Sequence, residues 1–195
     1  MELAEVISEI IIDPERGLSE VLVSRKPLLL AIGIAIAGLF CQIVSAMLLE
    51  SYSPDQIAGM FIARFLASLF SFAVFWFVLT AMFHFIATWH QTEGSSHNLF
   101  VLFGSSLTPM IFMPVAALLA KNLGSGGHFV FFLLSAAIFV WVLFLQVKSL
   151  KLIYHWQTGK AILVYIMPFA STFVLLFIST IMLIVLAFAL FASYF

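Results

Sequence analysis

Residues 28–49 read LLLAIGIAIAGLFCQIVSAMLL, a run without Asp, Glu, Lys or Arg. A helix needs about 20 mostly apolar residues to cross a hydrocarbon core roughly 30 Å thick, so this run is long enough to span a bilayer. Four further runs pass the same test, over residues 65–89, 99–120, 128–147 and 165–190, and none of them carries a charged side chain. The fold class that follows is all-α: a polytopic membrane protein whose core is a five-helix transmembrane bundle. Composition agrees, since 64% of the 195 residues are hydrophobic and 9% charged, whereas a soluble domain is about a quarter charged. The weakest point in the count is the turn KNLGSGG at 121–127, short enough that a hairpin dipping into the bilayer is the alternative to two full crossings.

Outside the spans, the longest segment is residues 1–26. Leu3, Val6, Ile7, Ile10 and Ile11 recur at helical spacing and make one apolar face, opposed by Glu2, Glu5 and Glu9. Asp13-Pro14 supplies an N-cap and a first-turn proline for a second short helix, whose apolar face is Leu18, Val21 and Leu22. The segment holds six acidic residues and lacks the basic start of a signal peptide. Two short amphipathic helices at the membrane interface are expected. Because their polar face is acidic and not basic, the protein's own spans compete with lipid for the apolar face.

Basic residues near span ends are retained on the cytoplasmic side. With the N-terminus inside, that side holds Arg16, Arg25, Lys26, Lys148, Lys151 and Lys160, and the other side only Arg64 and Lys121. The expected orientation is N-terminus cytoplasmic and C-terminus outside. Ser53-Pro54-Asp55-Gln56 has the form of a helix start, and a helix from there to Trp89 is much longer than the bilayer core. Its beginning projects, and Arg64 falls near the outer interface, where its side chain can snorkel to water or meet an ion or headgroup. Trp76, Trp89, Trp141 and Trp156 read as lipid-contact and interface anchors.

The third span, LFVLFGSSLTPMIFMPVAALLA, carries Pro109 and Pro114 behind Gly104, Ser105, Ser106 and Thr108. Each proline frees a backbone carbonyl that needs another partner, so a kink is expected. Such a break can build a binding site, while small residues and prolines also serve close helix packing. Gly33 and Ala37, four apart in the first span, form a close-approach face of the same kind.

Chemistry has few carriers. The ionisable side chain of relevance within a span is His84, which leaves a carboxylate-coupled pump without its carboxylate. Gln42 and Gln146 are the other strongly polar intramembrane residues, and both read as donors of interhelical hydrogen bonds. His84, His90, His97 and His155 come toward one face and are weak metal candidates, because His84 and His90 do not share a helix face and no cysteine or buried carboxylate joins them. Cys41, the only cysteine, excludes a disulfide framework and reads as a small hydrophobe. GxSxG, Walker A and HExxH motifs are absent, so no enzyme activity and no cofactor are expected. With a net charge of −1 and no basic run, nucleic acid is not a partner.

IIDPERGLSEVLVSRKP (11–27), LFVLFGSSLTPMIF (99–112) and especially WVLFLQVKSLKLIYHWQTGKAILVYIMP (141–168) resemble the Yip family, membrane proteins named for interaction with Ypt/Rab GTPases. The resemblance covers nearly the whole chain. It implies a five-span domain with a cytoplasmic N-terminus, no catalytic residues, and membrane-protein partners or self-association. Eukaryotic members carry long cytosolic N-terminal regions, which residues 1–26 do not match. GTPase binding is therefore not carried over, and a prokaryotic member in the cytoplasmic membrane is expected. Two functions remain: a scaffold acting through lipid and membrane-protein contacts, and a channel or transporter lined by His84, Pro109 and Pro114.

Overall fold

The computed structural model of the chain describes residues 3–50, 54–89 and 92–192. They form eight α-helices: α1 (Leu3–Ile12), α2 (Pro14–Val23), α3 (Pro27–Leu49), α4 (Pro54–Trp89), α5 (Ser96–Ser105), α6 (Met113–Asn122), α7 (Gly127–Tyr154) and α8 (Thr158–Ala192). Two 3₁₀ turns, Thr108–Phe112 and Gly124–Gly126, precede α6 and α7. Five segments are long and apolar enough to cross a membrane: α3, α4, the stretch Ser96–Asn122, α7 and α8. The expected capping residue Ser53 lies outside the described residues.

Helices α1 and α2 form a hairpin. Asp13 caps α2, its side chain accepting from the Arg16 amide at 3.3 Å, and Pro14 takes the first turn. The crossing is close at Gly17, where a Cβ would stand 2.5 Å from the Ile10 amide nitrogen. The apolar faces predicted from spacing turn inward, so Val6, Ile10, Leu18 and Val21 are fully buried. The protein's own helices, α3, α5 and α7, take that surface. Glu15 ties the hairpin down by accepting from Lys151 Nζ at 2.9 Å and from Lys148. We call this the hairpin end of the bundle. At the opposite end, Arg64 pairs with Glu50 at 2.9 Å, joining α3 to α4.

The third span is the centre of the bundle, with 61% of its most apolar stretch buried against none for α8. It is broken where the sequence places its prolines. Pro109 cannot donate to the Ser105 carbonyl, and Thr108 Oγ1 donates there instead at 2.7 Å. Pro114 leaves the Met110 carbonyl, which the Met113 amide takes. Ser105 and Ser106 hydroxyls bond to the carbonyls of Val101 and Phe103. The chain thus turns through 3₁₀ geometry with the carbonyls its prolines free taken by other donors, as an apolar medium requires.

Helix α7 reverses on α6 through the glycine turn, with Gly124 at φ +59° and Gly127 set directly on the Ala120 carbonyl. Helix α8 packs through Ala161, Val164 and Tyr165 near its start. From Phe169 to Leu186 every residue is exposed. This span stands outside the bundle for most of its length.

Candidate functional site

Polar side chains of the spans meet in two places. At the hairpin end, His84 Nδ1 and the Tyr154 hydroxyl are 2.9 Å apart, linking α4 to the end of α7. The Tyr154 ring stacks on Trp156 at 4.8 Å, and Trp156 Nε1 donates to Thr92 Oγ1 at 3.3 Å. Lys160 lies over the Trp156 ring, 4.9 Å from its centroid. Gly94 is pressed against Tyr154, where a Cβ would collide with the ring. The end of α4, the 92–95 segment and the α7–α8 turn are thereby locked together. His155 permits the turn by adopting left-handed backbone at φ 51°.

Glu15 supplies the electrostatics of this end. Hydrogen bonds from Lys148 and Lys151, reinforced by their charge, hold its carboxyl down to about 2. His155, Lys148 and Lys151 line a shallow pocket of about 290 Å³ beside Glu15. On another side of the same end, His84 and His97 line an open groove of about 720 Å³. His90 lies outside the described residues. Among the described residues no three His, Cys, Asp or Glu side chains converge as a metal site.

The second meeting point is inside the bundle. The Tyr165 hydroxyl of α8 donates to Gln146 Oε1 of α7. Both line a cleft of about 460 Å³ between α4, α7, α8 and the break in the third span. Trp76 forms part of its floor. The Trp76 ring stacks on Phe100 at 4.1 Å, donates from Nε1 to the Phe100 carbonyl at 3.1 Å, and fills the hollow left by Gly104.

These positions revise several expectations. Trp76 and Trp156 are buried, 8% and 6% exposed, and are packing residues instead of membrane anchors; Trp89, at 77%, is exposed. A glycine hollow and two hydrogen-bond acceptors draw the indoles inward, and neither signal is local in sequence. Gln146 makes an interhelical bond as the acceptor. Gln42 makes none among the described residues and is exposed on α3. Pro109 is buried and Pro114 partly so, and neither shares the groove of His84. Arg64 is held by Glu50. Tyr154, Tyr165 and Glu15 have long-range partners and so no local signal in the sequence, apart from the aromatic cluster YHW at 154–156.

This is a polytopic helical membrane protein whose polar side chains hold helices to one another. The family model for the Yip1 domain matches residues 8–180, nearly the whole chain, and the protein belongs to that family. No curated protein and no solved structure matches it.

Proposed function

We propose that the protein is a non-enzymatic membrane scaffold, working through self-association or through other membrane proteins, in a prokaryotic cytoplasmic membrane with its N-terminal hairpin on the cytoplasmic side. The observation that carries this is α8: residues 169–186 are exposed on every face of the helix. A span that stands clear of its own bundle over this length offers a full helix surface to lipid or to another membrane protein. Gln42 adds to this. It lies seven residues before Leu49, about 10 Å along α3 from the helix end, so its exposed carboxamide sits in hydrocarbon. A carboxamide there gains from a hydrogen bond across a helix–helix interface. The six basic residues at the hairpin end support the orientation.

A solute pathway has less support. His84 is engaged by Tyr154, and the two prolines serve packing within the third span. The scaffold reading is tested by crosslinking and pull-down of the full chain from native membranes, beside Gln42→Leu. A reproducible homo-oligomer or membrane-protein partner, weakened by the substitution, is expected. A strictly monomeric protein without partners, together with solute flux in reconstituted vesicles, contradicts it.

A further inference from the structure

The cleft that holds Gln146 has a buried floor and an exposed rim. Trp76, Leu79, Phe103, Val142, Gln146 and Tyr165 are each less than 9% exposed, whereas Phe75, Phe139, Ile166 and Phe169 at its mouth are 47–59% exposed. The mouth therefore opens sideways into the bilayer, between α4, α7 and the start of α8. Its lining is apolar except for one hydrogen-bonded pair. In that pair Gln146 Oε1 is taken by Tyr165, while the amide nitrogen of Gln146 has no partner among the described residues, although the side chain is 8% exposed. That nitrogen is open to the cleft and not sealed in protein, and a donor facing an apolar medium without a partner costs free energy. An occupant with an apolar body and one acceptor oxygen removes that cost.

Depth selects among such occupants. Lys148, two residues beyond Gln146, reaches the aqueous hairpin end through Glu15. Gln146 thus lies about 3 Å along α7 from that end, just inside the hydrocarbon boundary, and Phe139 about 10 Å deeper. Ester carbonyls of a glycerolipid sit at the first of these depths and its acyl chain runs through the second. A volume of about 460 Å³ is within the range of small-molecule sites.

We propose that this cleft is a lipid site, holding one acyl chain of a membrane glycerolipid with its ester carbonyl accepting a hydrogen bond from Gln146 Nε2. Tyr165 holds Oε1 of the carboxamide, so that its amide nitrogen faces the cleft. Trp76, held in place by Gly104 and Phe100, walls it.

The test uses the full chain in phosphatidylcholine nanodiscs containing a small fraction of phosphatidylcholine with a photoactivatable acyl chain. Adducts are mapped by peptide mass spectrometry. Adducts concentrated on Phe139, Val142 and Ile166 are expected. Gln146→Leu should lower them about threefold, the scale of one hydrogen bond within a membrane, and Val142→Trp should abolish them by filling the cleft. Adducts on residues 176–186 should be unchanged in both variants, which controls for the density of probe lipid around the protein, and unaltered thermal unfolding of Gln146→Leu reports that the bundle is intact. The ether-linked analogue, lacking the ester carbonyl, should label the cleft no better than the ester lipid labels Gln146→Leu. Cleft labelling no greater than on distal α8, or unaltered by both substitutions, overturns the proposal. So do equal labelling by ether and ester lipids, and protein–protein adducts through the cleft.

Discussion

Replacing Gly104 by alanine probes the centre of the bundle. The new methyl would overlap the six-membered ring of Trp76. That ring cannot retreat freely, because Phe100 stacks on it at 4.1 Å and Phe72 lies 5.6 Å away. Overpacking of this kind costs about 1–3 kcal/mol. Displacing the indole also strains its bond to the Phe100 carbonyl, worth about 0.6 kcal/mol in a membrane protein. Against this, alanine gains about 1 kcal/mol over glycine in a helix, which leaves a net loss of roughly 0.5–2.5 kcal/mol. Gly59 is the matched control: it is helical, nothing lies within 4 Å of the position a Cβ would take, and Gly59→Ala should stabilise slightly. Reversible unfolding in mixed micelles, followed by circular dichroism, measures both. The pair Gly104 and Trp76 should also be non-additive. In a Trp76→Phe background the ring atoms that clash are gone, and Gly104→Ala should cost less than half as much. Equal stability of Gly104→Ala and Gly59→Ala, or full additivity with Trp76→Phe, would refute the reasoning.

Three further outcomes follow from the hairpin and the break. Glu15 has a carboxyl depressed from 4.5 to about 2, so its stabilisation is complete above about 4.5 and is lost as pH falls toward about 2. Being half-exposed, it contributes no more than about 1 kcal/mol, and amide protection factors in α2, taken relative to intrinsic exchange at each pH, should fall over that pH range in the wild type but not in Glu15→Gln. Gly17→Ala should undock α1 from α2, because the methyl meets the Ile10 backbone at 2.5 Å; protease cleavage within α1 at least tenfold faster than in Glu15→Gln checks it, and unchanged cleavage contradicts it. Thr108→Val keeps the shape but leaves the Ser105 carbonyl without its 2.7 Å donor, and should cost about 1–3 kcal/mol by the same unfolding assay.

Hydropathy exposes the spans because a bilayer demands the same long apolar run from each. The break at Pro109 and Pro114 is legible for a comparable reason: proline acts on the carbonyl four residues back, a local rule. The amphipathic faces of α1 and α2 are readable because polar and apolar residues alternate with helical period. Within the spans that contrast vanishes. Lipid-facing Phe173 and core-facing Phe103 are the same residue type, so neither the isolation of α8 nor the interior position of Trp76 has a sequence signal. The polar links Tyr165–Gln146 and His84–Tyr154 join residues 19 and 70 apart, and Glu15 finds Lys148 at a separation of 133. Such pairings arise only when the bundle assembles.

The scaffold account rests on α8 being an interaction surface, and a photoreactive amino acid placed in turn at Leu176, Met182 and Leu183 of the full chain in native membranes tests that most directly. The account predicts discrete protein adducts, to a second copy or to a defined membrane protein, from one side of the helix. Lipid adducts alone, equal at all three positions, would contradict it.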